Sequence, residues 1–304
     1  MALDLRPLTL AELLDRSFSI YKRHVWLFVG IMAVPAAFAL VYAILMQFVQ
    51  YWTGPMTPNM TPEMAAWRVL PTALAGIFFI VVYMVVYAFA LGATTVAVAR
   101  IYNDQPVDVA ATYRAVRPQG WRLVGLLVWA SVRVGFAWVA LFVLVGVLAA
   151  LSAKLSPILS FLLFLVGMAV ASAASIYFAV RYGVCVPAAV LENLGPNRAL
   201  KRSVQLTQDH RGRIFLILLC AVIITYATAL LLQGPFMVGA LIAGPETVTA
   251  LTLNIMGAVL GTAGSTFSGP IMIIGLAMAY YDLRIRKEAL DLQMMLASLD
   301  APRA

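Results

Sequence analysis

The chain has 304 residues, of which 63% are hydrophobic and 11% charged, and its formal net charge is +8. Soluble domains are nearer half apolar and a quarter charged, so a chain of this length cannot hide so much apolar surface in its own core, and lipid must be part of its solvent. The two cysteines, Cys185 and Cys220, have no CxxC neighbour, which argues against a disulfide framework or zinc site and for small buried apolar residues.

In chain order, residues 9–23 read as an amphipathic helix. Thr9 and Glu12 have capping-box spacing. Leu10, Leu13, Leu14, Phe18 and Tyr21 recur on one face, with Glu12, Asp15, Arg16, Lys22 and Arg23 mostly on the other. Such a helix suits a membrane interface, and no cleavable signal is expected ahead of the first apolar run. Six runs reach the roughly 20 apolar residues that a transmembrane helix needs. They are 25–50, 69–99, 121–151, 156–181, 213–233 and 248–281, with kinks expected at Pro35 and at Gly269-Pro270. Residues 107–117 and 196–208 repeat the amphipathic theme before the third and fifth runs, the latter opening on Pro196. The expected fold is an all-α polytopic transmembrane helical bundle of about six spans. It forms a single membrane domain over 1–304, built as three repeats of interfacial helix plus transmembrane hairpin.

The basic residues gather in alternate segments: Arg6, Arg16, Lys22 and Arg23; Arg100, Arg114, Arg117 and Arg122; Arg181, Arg198, Lys201, Arg202, Arg211 and Arg213; and Arg284, Arg286, Lys287 and Arg303. The others are Arg68, Lys154 and Arg133. This alternation places both termini in the cytoplasm of a multi-pass cell-membrane protein. It also favours anionic headgroups of the inner leaflet over nucleic acid as the partner of the positive charge. The expected headgroup contacts are Arg16, Lys22, Arg23, Arg114, Arg117, Arg198, Lys201, Arg202, Arg284, Arg286 and Lys287.

Three segments carry a resemblance: Leu8 to His24 (LTLAELLDRSFSIYKRH), Val186 to Phe215 (VPAAVLENLGPNRALKRSVQLTQDHRGRIF) and Ala279 to Gln293 (AYYDLRIRKEALDLQ). Together they resemble the membrane-domain family named after glycerophosphoryl diester phosphodiesterases, and the Tyr-Tyr-Asp-Leu-Arg-x-Arg-Lys-Glu pattern is their most specific part. The resemblance implies a multi-span membrane body without an assigned activity. The family name refers to a fused phosphodiesterase domain, for which this chain is expected to have no room.

His210-Arg211-Gly212 matches the His-Arg-Gly of such phosphodiesterases, but it stands beside an apolar run. No Glu-x-Asp follows it, and the only other histidine is His24. No catalytic residue, metal site or cofactor is therefore expected. Arg133 lies about 18 Å into the third run if the span begins at Trp121. A cation at that depth is costly and faces a cavity or a partner, unless it snorkels. The polar groups expected to share its site are Gln47, Gln233 and Asn254, with tyrosines, backbone carbonyls at a kink or a lipid phosphate as the alternatives. Gly257 and Gly261 form a GxxxG spacing, continued by Gly264, that suits close helix packing within the chain. The composite expectation is a non-enzymatic organiser of membrane lipids or of a membrane-protein partner. A transporter or permease-like component is the alternative, and an intramembrane lipid enzyme stands third. Reporter fusions at Thr57, Leu155 and Ala301 test the topology: the first two should report the outside and the last the cytoplasm.

Overall fold

The computed structural model describes residues 8–53, 61–153, 156–244 and 247–288. Among them the chain is all-α: α1 (Leu10–Arg23), α2 (Val25–Thr53), α3 (Pro62–Tyr102), α4 (Val109–Val116), a 3-10 turn (Arg117–Gln119), α5 (Gly120–Ala153), α6 (Pro157–Tyr182), α7 (Cys185–Leu191), α8 (Pro196–Thr207), α9 (Arg211–Ala243) and α10 (Val248–Glu288). Six of these helices are long and apolar enough to cross a membrane. Their order, short helix then two long ones, occurs three times, beginning at α1, α4 and α8. The short α7 is extra and was not expected from the sequence. Arg6, Thr57, Lys154, Leu155, residues 289–293, Ala301 and Arg303 lie outside the described residues, as does the side chain of Arg68.

Several helices outrun the apolar stretches that announce them. The fifth span was expected to stop at Gln233, yet α9 continues through Gly234 and Pro235 to Ala243. A proline removes one N–H donor, and the apolar run Phe236–Ala243 beyond it still belongs in lipid. Helix α10 runs past 281 to Glu288. Its 41 residues span about 60 Å at ~1.5 Å per residue, twice the hydrocarbon thickness, so its ends stand outside the lipid tails. The long helices leave Phe136 77%, Leu230 73% and Ile242 83% exposed. Surface this apolar requires lipid rather than water as its neighbour.

The chain divides into two compact units interleaved in sequence, and neither coincides with a repeat. One comprises residues 1–10, 121–216 and 276–304; the other comprises 11–120 and 217–275. Helices α9 and α10 contribute to both.

In the second unit α2 packs on α3, and α4 packs on both. Helix α4 starts at Asp108, whose carboxylate accepts from the Ala110 N–H at 3.2 Å and so satisfies a donor at the helix start. It buries Thr112 and Val116. Its Tyr113 hydroxyl donates to the Ile31 carbonyl at 2.8 Å. The reason lies in the sequence of α2. Pro35 has no N–H, so the carbonyl four residues earlier, that of Ile31, has no partner in its own helix. A tyrosine also reaches a carbonyl of α10. Near Pro270 the Tyr21 hydroxyl of α1 donates to the Phe267 carbonyl at 2.7 Å, and burial pushes that phenol's pKa up. Helices α1 and α4 are thus fastened by tyrosine to long helices that contain a proline. Leu13 of α1 is fully buried, so the apolar face expected to meet lipid or the bundle is committed to protein at that position.

Gly257, Gly261 and Gly264 of α10 face α9. A Cβ at Gly261 would stand 2.7 Å from Gln233 Oε1, and one at Gly264 would stand 2.7 Å from Leu232 Cδ1 and 2.9 Å from Thr228 Cγ2. Absent side chains here let two backbones approach closely.

The proline–tyrosine pairing predicts a conditional effect. Tyr113→Phe should cost about 1–3 kcal/mol by orphaning the Ile31 carbonyl. It should cost much less in a Pro35→Ala background, where the helix supplies the missing N–H. Thermal unfolding of the four proteins in one detergent checks this, and equal costs in the two backgrounds would refute the pairing.

Candidate functional site

The first unit holds a dense polar layer. Glu192 ends α7, and both its carboxylate oxygens accept from Arg202 Nε of α8, at 3.0 and 2.9 Å. The Tyr280 hydroxyl donates to Glu192 Oε1 at 2.7 Å. Arg202 reaches across to Glu288 Oε2 at 2.7 Å, and Arg284 joins Glu288 at 3.0 Å and Tyr280 at 3.3 Å. The Glu288 carboxylate at its side holds the Arg202 guanidinium more firmly protonated than usual, against the opposing effect of burial.

A second cluster lies along the same stretch of α10. Asp282 is 2% exposed. It accepts from the Leu8 N–H at 2.8 Å and from Arg286 at 3.0 Å, and forms an ion pair with Arg213 at 3.2 Å. Arg213 and Arg286 also donate to the Leu8 carbonyl, at 2.7 and 2.6 Å. Both backbone groups of Leu8 are therefore clamped by one buried carboxylate and its two cations. Close by, Lys287 donates to Asp209 at 2.7 Å and to the Gln205 carbonyl at 2.8 Å. The bonded Lys287 holds the Asp209 carboxyl below its ordinary pKa.

His210 caps the start of α9, its carbonyl accepting from the Arg213 and Ile214 N–H groups. Its Nδ1 is buried without a partner. Burial, then the cations of Arg286, Lys287 and Arg213, push its pKa down. A histidine ringed by cations is a poor seat for a divalent metal, because the local field repels it.

Four of the residues expected to meet anionic lipid, Arg202, Arg284, Arg286 and Lys287, are thus bound to carboxylates of the protein. Lys22, Arg23, Arg114, Arg117, Arg198 and Lys201 are exposed, and Arg16 is half-buried with its guanidinium 6.0 Å from the centre of the Tyr102 ring. Helix α8 turns Ala199, Leu200 and Leu206 inward and packs on α6 and α7. Its apolar face meets protein, and its basic face looks out.

The residues expected to share an intramembrane polar site are divided between the two units. Arg133 is in the first unit, and Gln47, Gln233 and Asn254 are in the second. Gln233 is exposed and stacked over the glycines of α10, and Gln47 and Asn254 are half-buried. Arg133 instead donates to Asn197 Oδ1 at 3.1 Å and lies 5.3 Å from the Trp129 ring centre. Asn197 stands in the first turn of α8, 64 residues away in sequence. One turn region of the chain serves two arginines of α5, since Arg122 donates to Asn193 Oδ1 at 2.7 Å. Neither asparagine is apparent from the sequence, because short polar residues between helices are ordinary turn formers. Of the two cysteines, Cys185 is buried and Cys220 half-buried, and both are free thiols.

These features define a class: an all-α, multi-pass integral membrane protein whose polar side chains are bonded to one another outside the apolar spans. A comparison with known families gives a match over part of the chain. Residues 157–297 match the family model described as the membrane domain of glycerophosphoryl diester phosphodiesterase. The resemblance read from the sequence holds over that stretch, which runs from α6 past the end of α10. No curated protein and no solved structure matches the chain.

The clamp on Leu8 predicts a large local effect. Asp282→Asn removes both ion pairs while keeping an acceptor for the Leu8 N–H. It should destabilise the protein by about 3 kcal/mol, because Arg213 and Arg286 are left without their buried counter-charge. A lowered melting temperature and faster proteolysis of the N-terminal segment are the expected readouts. An unchanged melting temperature would show that the cations, once freed, are satisfied by water.

Proposed function

We propose that this membrane protein is a non-enzymatic organiser of anionic lipid, presenting its basic faces to the cytoplasmic leaflet. The observation that carries the reading is how the charges are sorted. Glu192, Asp209, Asp282 and Glu288 are bound to arginine or lysine of the same unit. The exposed cations Lys22, Arg23, Arg114, Arg117, Arg198 and Lys201 stand elsewhere, on helices or turns that flank the apolar spans. A cation bonded to an internal carboxylate has little left for a headgroup. An exposed one near an anionic leaflet gains about 1 kcal/mol from the surface potential. Against catalysis stand the same ion pairs: carboxylates bonded to arginine are weak bases, and His210 is held neutral by burial and by its cationic neighbours.

A second reading, a transporter or permease-like component, is favoured by one feature. The second unit encloses a hollow of about 290 Å³ bordered by Pro35, Tyr83, Tyr87, Tyr226, Thr262 and Ser265. A proline and hydroxyl groups lining a space between helices are what a passage through a bundle needs.

Lipids that travel with the protein separate these readings. The chain is extracted in polymer-bounded native discs, and their lipids are compared with the bulk membrane. Enrichment of anionic lipid is expected, falling in Lys22→Gln/Arg23→Gln/Arg114→Gln/Arg117→Gln. A bulk-like composition in the wild-type discs would remove the organiser reading.

A further inference from the structure

Beside the arginines of α5 lies an open cleft of about 650 Å³. It is lined by Arg122, Gly125 and Trp129 of α5 and by Asn193, Asn197 and Arg198 of the turn and first residues leading into α8, among others, and the lining contains no carboxylate. Arg122 and Arg198 are both exposed to it. The asparagines set the arginines in place. Asn193 accepts one N–H of Arg122 at 2.7 Å, and Asn197 accepts one of Arg133 at 3.1 Å. Arg133 is further held against Trp129, with 5.3 Å from guanidinium carbon to ring centre. Each interaction fixes a guanidinium while using few of its donors, so the rest remain oriented and free. Gly195 leaves open space at the entry to α8, with nothing within 4 Å of where a Cβ would be.

Arg202, Arg213, Arg284, Arg286 and Lys287 of this unit have carboxylate partners; Arg122 and Arg133 have amides instead, and Arg133 an aromatic ring as well. Cations placed together without an anion repel one another, and the arrangement is stabilised when an anion enters. Arginine is the side chain suited to phosphate, because its planar fork bonds two oxygens at once. A tryptophan at the rim suits the membrane–water interface.

We propose that this cleft is a phosphate site, in which Arg122 and Arg198 grip the phosphate and Arg133, seated on Trp129 and Asn197, supplies a third positive charge. The phosphate is that of an anionic phospholipid headgroup or free phosphate; the chemistry of recognition is the same. The inference rests on the lipid-organiser reading only for the lipid as source, since free phosphate would occupy the cleft without it.

The test uses the full chain in neutral detergent at fixed ionic strength. Native mass spectrometry titrates phosphatidylglycerol, phosphatidylcholine and inorganic phosphate against the wild type, Arg122→Gln/Arg198→Gln and Arg211→Gln, an exposed arginine outside the cleft. The cleft variant should bind phosphatidylglycerol at least about tenfold more weakly, as expected when charge-assisted hydrogen bonds are lost, and Arg211→Gln should stay near wild type. Inorganic phosphate that binds saturably and displaces the lipid identifies free phosphate as a ligand. Lipid binding without phosphate binding identifies the headgroup. Equal weakening in both variants, or none in the cleft variant, overturns the site while leaving a diffuse lipid preference intact. A wild type that binds neither phosphatidylglycerol nor phosphate overturns it as well, and the disc lipids then decide the wider reading separately. Arg198→Gln alone, at an exposed position, serves if the double variant does not fold.

Discussion

The buried carboxylate of Asp282 is the constraint around which the first unit is arranged. A carboxylate 2% exposed is tolerable only if its lone pairs are filled and its charge is met. Here the backbone N–H of Leu8 and the guanidinium groups of Arg213 and Arg286 do both. The two arginines are in turn held in place by the Leu8 carbonyl. Groups from three distant stretches of the sequence therefore become interdependent. One turn along α10, Tyr280, Arg284 and Glu288 join with Glu192 and Arg202 to tie α7, α8 and α10 together.

This gives a physical meaning to the segments that carry the family resemblance. The Tyr-Tyr-Asp-Leu-Arg-x-Arg-Lys-Glu run places Tyr280, Arg284 and Glu288 at intervals of four residues, so they lie along one stripe of a helix. Asp282 and Arg286, also four apart, lie along another. The partners of the two stripes, Glu192 and Arg202 for one and Leu8 and Arg213 for the other, come from the other quoted segments. The pattern is a description of mutual satisfaction among polar groups near the end of a long apolar helix. Catalysis is not required to explain it.

The second unit solves a different problem with the same economy. Prolines inside spans free carbonyls that lipid cannot satisfy. The Tyr113 hydroxyl satisfies the Ile31 carbonyl that Pro35 frees, and the Tyr21 hydroxyl bonds the Phe267 carbonyl, so both short helices stay attached. The sites of chemical interest arise where such matching is incomplete. Arg122 and Arg198 line an open cleft without an anion, and the hollow beside Pro35 has hydroxyl groups on its border.

The membrane class, the six spans and the order of short and long helices were legible in the sequence, because each follows from apolar run length and from local periodicity, which need no distant contact. Span ends were less legible. Polar or proline residues such as Gln233 and Pro235 interrupt the pattern without ending the helix, since one lost donor costs less than leaving an apolar run outside lipid. What only the tertiary structure decided is which polar groups meet. Arg202, Arg284, Arg286 and Lys287 look like any membrane-flanking cations until their carboxylates are found folded against them. Arg133 looked like a deep charge seeking Gln47, Gln233 or Asn254, and its partner proved to be Asn197 on α8. Pairing of this kind depends on where α8 lies against α5, α6 and α7. That placement is set by packing between segments tens of residues apart, for which local periodicity carries no signal.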